Sequence, residues 1–403
     1  MRIFISFLGI AFLILPASGR DLTEKDALQM LSAASPRARA LAAQVELARA
    51  DAAAVGLRPN GSVNFSRETV GGSPETFLVY EQPLSISGRR QYLRRAALAA
   101  AESTELSIRM QLHELRVDTR LAFLELLLAQ EQLGVYGEEK ASLLEIVRVL
   151  RQREEAGEAS GYDRIRAERE LSLFEAEQGA IQARKEKAQG LLASFFGETP
   201  RLSSLRAIGA LDNLVIPDLA SLMSRSENRG DIRAEHRMAE SSALSMEAAR
   251  RRLYPEPVIS GGLKSAIIEG QRDSGYIFSI SIPLPLFDSG RADMVRADLA
   301  RKAFTARADA IRTELQLRLQ GAWEETRTRI RAAEIYQAKA VAETGDLVRI
   351  ARAAYEGGEA GILELLDACR TQRDVRLRML ELHAHARQSA LELERMTGEE
   401  VIQ

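Results

Sequence analysis

A proline and glycine elbow occurs twice in this chain, and it restricts the fold more than any other feature. Residues 276–291 read Y-I-F-S-I-S-I-P-L-P-L-F-D-S-G-R. Tyr276, Phe278, Ile280 and Ile282 fall on one parity and Ser279 and Ser281 on the other, which is the two-residue period of a strand. Pro283 and Pro285 bring no amide hydrogen to a ladder, and Asp288, Ser289 and Gly290 supply turn and cap chemistry before a long helical pattern. Residues 76–89, T-F-L-V-Y-E-Q-P-L-S-I-S-G-R, repeat the device: Pro83, Leu84, Ser87, Gly88 and Arg89 register with Pro285, Leu286, Ser289, Gly290 and Arg291. The chain is therefore an internal duplication, and the 403 residues predict one elongated body rather than several separate domains.

The two halves run in parallel. Residues 21–56 read as one helix with a break or fresh first turn at Ser35-Pro36, and 61–84 as a β-hairpin. From 89 to 156 there is no proline, and Leu112, Leu115, Leu121, Leu124, Leu128, Leu143, Val147 and Leu150 keep a helical spacing. One helix of that length spans ~100 Å at 1.5 Å per residue. Residues 157–161 turn the chain, 162–196 return as a helix, and 201–222 form an irregular connector. The second half repeats the order: a helix from 231, a hairpin over 257–284 with the longer loop, a long helix over 291–356, and a return over 362–397. The first repeat is thus 20–200 and the second 223–403. The two shorter helices of a half together match the long one, and the expectation is that they lie end to end along it.

Residues 1–19 carry Arg2, an apolar run from Ile3 to Leu15, and then Pro16, Ala17, Ser18 and Gly19, the pattern of a secretory signal peptide cleaved near Gly19. No cysteine follows it to take a lipid anchor; the one cysteine, Cys369, also excludes an internal disulfide. Hydrophobic residues are 46% but aromatics only 5%, a composition suited to long helices in thin layers. A formal net charge of −2 with both signs interspersed gives no nucleic-acid surface. No phosphate loop, nucleophile elbow or paired catalytic motif is present, so an enzyme is not expected and no cofactor is implied. No metal site is expected either: His383 and His385 point about 200° apart on a helix, and His113 and His236 stand alone.

The hairpin strands have the length of a tilted membrane strand, about nine to eleven residues. Four strands cannot close a barrel, and open edges cannot face lipid, so such a sheet must be shared among copies; three copies of four make twelve strands. The other reading of the same residues is a soluble hairpin packed on the helices.

The duplicated halves, the two elbows and the turn Ala354-Tyr355-Glu356-Gly357-Gly358 followed by Leu365-Leu366-Asp367-Ala368 resemble the TolC-like outer-membrane efflux family, over nearly the whole mature chain. The I-P-L-P-L-F elbow and the G-G-E-A-G-I-L-E-L-L-D-A turn are most similar to its heavy-metal resistance branch. The resemblance implies a mainly α fold with a small membrane β part: a homotrimeric α-barrel joined to a shared 12-stranded β-barrel. It implies a passive exit duct in the outer membrane of a Gram-negative bacterium, extending into the periplasm. Its partners would be a periplasmic adaptor and an inner-membrane pump of the resistance-nodulation-division type, with metal cations as the cargo. Tyr355, Glu364 and Asp367 match the periplasmic aperture, whereas Ala360 stands where the family has a tip arginine, leaving Arg352 or Arg370 as substitutes. Glu364 and Asp367, three apart, share a helix face and would form carboxylate rings in a trimer; the alternative is two solvated surface charges. The adaptor would meet the turns at Gly157, Glu158, Ser160, Gly161, Gly358, Glu359 and Gly361. The alternative to the channel is a soluble periplasmic helical scaffold or adaptor without a barrel.

Overall fold

The computed structural model describes residues 20–70, 73–158, 160–197, 205–268 and 271–401. The segment read as a signal peptide lies outside them. In chain order the elements are β1 (Arg20–Thr23), α1 (Glu24–Ala34), α2 (Pro36–Val55), β2 (Ser62–Val70), β3 (Ser73–Pro83), α3 (Arg89–Glu155) and α4 (Gly161–Phe196). These are followed by β4 (Leu205–Ile208), α5 (Leu219–Glu227), α6 (Gly230–Arg250), β5 (Val258–Ile268), β6 (Gln271–Ser281), α7 (Arg291–Tyr336), α8 (Ala342–Glu356) and α9 (Ile362–Thr397).

Helix α3 runs 67 residues without a break, about 100 Å of continuous rise. Leu, Arg, Gln, Glu and Ala fill it, residues that lose little side-chain freedom in a helix. Its upper part packs against α2 and α6, its lower part against α4 and α9; α7 packs on α6 and α9, and α8 on α9. Four columns result: α2 with α4, then α3, then α6 with α9, then α7 with α8. The long helix of the first half thus lies between short helices of both halves, rather than along those of its own half alone. The waist core gathers Leu115 to Leu128 of α3 with Leu22, Leu31, Phe195, Phe196, Leu380 and Leu391. A second cluster near the far end joins Tyr136, Leu143, Val147, Leu150, Phe174, Ile362 and Leu366.

Several expectations need correction. Residues 21–56 form two helices divided at the expected Ser35-Pro36 break, and α1 begins only at Glu24. Thr23 ends a short strand and caps α1 through a box with Asp26, and Ser35 caps α2 with Pro36 in its first turn. The connector 201–222 is not wholly irregular, because β4 pairs in parallel with β1 and α5 begins at Leu219. The second long helix contains a π-helical turn, Gln337–Val341, where the ladder widens. The second hairpin has no longer loop: its extra length lies in β5, two residues longer than β2, and two residues separate the strands of each hairpin. Pro283 and Pro285 lie beyond the end of β6 at Ser281, as expected, but Pro83 stays within the ladder. It lies opposite Val258, and the amide of Leu84 still donates to the carbonyl of Pro257 at 2.8 Å. An antiparallel ladder alternates bonded and non-bonded pairs, so a proline on the non-bonded side leaves it intact.

The main sheet is antiparallel in the order β2-β3-β5-β6. Its register sorts side chains into two faces. Val63, Tyr80 and Phe278 share one level of the first face with Gly261; Phe65, Leu78, Leu263 and Tyr276 share the next. This face is open to its surroundings, with Tyr276 93% and Phe278 72% exposed. The opposite face is mixed: it carries Ser62, Asn64, Ser66, Ser260, Ser279 and the Lys264–Glu75 pair at 2.8 Å, with Phe77, Val79 and Ile277 among them. Arg67 and Glu68, which interrupt the alternation of β2, fall into place here. Arg67 stands level with Thr76, Ser265 and Ser274 at the upper edge of the apolar band, and Glu68 lies on the mixed face.

Candidate functional site

The two ends of the helical columns hold the residues singled out above. At the far end, α3 turns into α4 and α8 into α9 by the same motif. Gly157 and Gly358 adopt left-handed φ of +78° and +74°, and the amides of Glu158 and Glu359 donate back to the carbonyls of Arg153 and Ala354 at 2.8 and 2.9 Å. A Cβ at either glycine would meet nothing within 4 Å, so both turns project freely. Ser160 caps α4, its Oγ accepting from the amide of Tyr162 at 3.1 Å. Glu158, Glu359 and Gly361 are exposed, and Gly161 lies against the carboxylate of Glu154.

Tyr355 packs on the lower core cluster, with the Arg153 guanidinium 5.6 Å from its ring centroid, and so ties α8 to α3. Glu364 and Asp367 are exposed on α9, opposite the buried Ile362, Leu365, Leu366 and Ala368. Arg370 is not free. It grips Glu170 of α4 through Nε to Oε1 at 2.5 Å and a second contact between Nη2 and Oε2, and this pair holds the Glu170 carboxyl below the usual carboxylate range. Arg352 is exposed at the rim of a small cavity of about 40 Å³.

That cavity sits where α3, α4, α8 and α9 meet and is lined by Glu139, Glu170, Val348, Leu366, Cys369 and Arg373 among others. Glu139 Oε1 is buried there without a hydrogen-bond partner, and burial pushes its carboxyl up to about 7 against the opposing fields of Arg373 and Arg376. Burial likewise raises the Cys369 thiol. Neither Glu139 nor the Glu170–Arg370 brace was legible in the sequence, since each depends on helices far apart in the chain. Because Glu139 releases its proton at a higher pH when folded, the native state loses stability between about pH 4.5 and 7, by up to about 3 kcal/mol before screening at this partly exposed carboxyl reduces it. Glu139→Gln should remove that slope, being more stable than the parent at pH 8 and not at pH 4.5. Thermal unfolding at the two pH values checks this; parallel behaviour of the two proteins would refute it.

At the other end, both elbows rest on the last turn of α6. Gly88 and Gly290 take φ of +73° and +77° at the starts of α3 and α7. Arg251 donates to the carbonyl of Ser87 at 3.4 Å, and Arg252 pairs with Asp288 and Asp293 at 2.9 Å each. Ser87 Oγ accepts from the amide of Arg89 and donates to Glu256; Asp288 Oδ1 accepts from the amide of Gly290. Pro285 and Arg291 bracket the second elbow as Pro83 and Arg89 bracket the first. Among the described residues no three His, Cys, Asp or Glu side chains gather as a metal site: His113 Nε2 faces the carbonyl of Glu394 and His383 Nε2 faces Gln337, both at 2.9 Å.

Residues 224–399, nearly the whole second repeat, match the family model for the outer membrane efflux protein. The second repeat is thus similar to the outer membrane efflux proteins. The cobalt-zinc-cadmium resistance protein CzcC of Cupriavidus metallidurans is 23% identical over 320 residues, covering 78% of this chain and 75% of CzcC. The solved structure of CusC superposes with a TM-score of 0.75 at 17% identity, covering 96% of each chain. The open state of the MtrE outer membrane channel of Neisseria gonorrhoeae gives 0.75 at 18% identity over 93% of this chain and 89% of that one. The efflux fold therefore spans both repeats, including the first, which the family model does not reach.

Proposed function

We propose that three copies of this chain form the outer-membrane channel-tunnel of a tripartite efflux system, a passive exit duct fed by an inner-membrane pump through a periplasmic adaptor. The observation that carries it is the two-faced sheet with unpaired edges, β2 and β6, above columns about 100 Å long. A sheet whose aromatic face is open and whose edges are free is stable in lipid only when closed, and three copies supply a twelve-stranded barrel with the apolar face outward. The same exposed face argues against a soluble scaffold, which would leave it in water. The likeness to CzcC supports metal cations as the cargo.

In this reading the exposed turns at Gly157, Glu158, Ser160, Gly161, Gly358, Glu359 and Gly361 receive the adaptor, and Tyr355, Glu364 and Asp367 border the aperture. The Arg370–Glu170 pair takes the place of the family's tip arginine as the brace near that aperture. Heat-modifiable trimers in outer-membrane fractions are the expected result, and a monomeric periplasmic product would remove the proposal. Glu364→Gln combined with Asp367→Asn is expected to lower the cation-to-anion permeability ratio of single channels in planar bilayers severalfold, since carboxylate rings set such selectivity. An unchanged ratio would return both residues to the status of solvated surface charges.

A further inference from the structure

The first elbow holds an open groove of about 650 Å³, between the entry to β2, the end of β3 and the start of α3. Its lining combines two guanidinium groups, Arg58 and Arg90, with the apolar side chains of Tyr80, Leu84 and Ile86. No aspartate or glutamate lines it. Two neutral groups inside are engaged: Tyr80 Oη donates to Gln82 Oε1 at 2.7 Å, and Gln82 Nε2 donates to the carbonyls of Pro59 and Pro83 at 3.1 Å. The arginines are not. Arg90 Nη1 is buried with no hydrogen-bond partner, as is Nε of the adjacent Arg89, and Arg58 is exposed and forms no ion pair among the described residues. Leaving a buried guanidinium nitrogen unpaired is costly, so an acceptor beside Arg90 would stabilise this end of α3.

The position of the groove says what that acceptor is attached to. Tyr80 stands on the apolar face of the sheet, level with Val63 and Phe278, and Ile86, 68% exposed, extends apolar surface from that face down to the elbow. A ligand filling the groove thus meets guanidinium groups together with exposed apolar side chains that include Tyr80 of the sheet's aromatic face. Guanidinium matches phosphate oxygens in a fork geometry. We propose that this groove binds a glycerophospholipid of the periplasmic leaflet, its phosphate between Arg58 and Arg90 and its acyl chains along Ile86, Leu84 and Tyr80. The inference rests on the membrane orientation given under Proposed function.

The test uses delipidated trimer in detergent, titrated with dioleoylphosphatidylglycerol and followed by native mass spectrometry. Dioleoylglycerol, which lacks the phosphate, and inorganic phosphate, which lacks the chains, serve as comparison ligands. The wild type should retain phosphatidylglycerol and not dioleoylglycerol, and phosphate should not displace it. The Arg58→Gln/Arg90→Gln protein should need about tenfold more lipid for the same occupancy, and the Arg58→Lys/Arg90→Lys protein should recover part of the loss. Equal retention by the glutamine variant overturns the proposal, and so does full displacement by phosphate, which would mark a simple anion site. Loss of trimers in the glutamine variant regardless of lipid also overturns it, because the arginines would then serve a subunit contact. Failure of the wild type to fractionate with outer membranes would instead count against the channel reading, which keeps the two outcomes apart.

Discussion

Replacing Arg120 by alanine is expected to cost about 3–5 kcal/mol of stability, the range for breaking a buried ion pair from one side. Arg120 of α3 is 7% exposed and Glu394 of α9 is 1% exposed. Arg120 Nη1 donates to Glu394 Oε1 at 2.6 Å and also contacts Oε2, while its Nε bonds Glu24 of α1. One guanidinium therefore fastens three helices at the waist. Without it, Glu394 is left in the interior, where burial already pushes its carboxyl up to about 7 against the field of Arg120. A folded-state value above the unfolded one makes the native state less stable as pH rises, so the variant should unfold more easily at pH 8 than at pH 6. The double variant Arg120→Met/Glu394→Leu should lie much closer to the parent, because the one charge that loses its partner, Glu24, keeps 29% of its side chain in water, unlike the buried Glu394. Thermal unfolding of detergent-solubilised protein separates these cases. A single variant as stable as the parent would mean that the pair contributes little to holding α1, α3 and α9 together.

The outline of this fold was readable because its elements are long and periodic. The 67 residues of α3 show their helical spacing many times over, and Gly157, Gly197, Gly358 and Gly398 mark helix ends with positive φ. The apolar parity from Tyr276 to Ile280 likewise marked β6. What escaped reading is short or distant. Strands β1 and β4 have four residues each and exist only because they pair with each other across most of the first repeat. The π turn at Gln337–Val341 has no glycine or proline to announce it. The site divides in the same way. Glu364 and Asp367 were identifiable as a pair because their spacing places them opposite Ile362 and Leu365, a local property of α9. Glu170, Arg370, Glu139 and the groove at Arg90 take their character from packing between helices or between hairpin and helix, which no local spacing encodes.

The duplicated elbows lead to the second large effect, and it is unequal between two glycines that the sequence makes equivalent. Gly88 and Gly290 share nearly the same left-handed φ, so alanine costs about 1–2 kcal/mol at either from backbone strain alone. Their surroundings differ. A Cβ on Gly88 would come no closer than 3.7 Å to Arg251 Nη1, the end of a flexible side chain. A Cβ on Gly290 would stand 2.5 Å from the carbonyl oxygen of Ala249, in the last turn of α6, and 3.3 Å from Cβ of Arg252. Backbone cannot step aside as a side chain does, and α6 is itself held between α3 and α7. Gly290→Ala should therefore add an overpacking cost of about 1–3 kcal/mol to the strain, detach Arg252 from Asp288 and Asp293, and tilt α7 away from β6. The expected result is a steep fall in heat-modifiable trimer for Gly290→Ala and a small one for Gly88→Ala, measured side by side at equal expression. Equal falls would show that strain alone governs the elbows and that the seat on α6 adds nothing. The difference, if found, assigns the two repeats separate duties: the first elbow stays open around Arg58 and Arg90, and the second is wedged against α6 and fixes the angle between strand and helix.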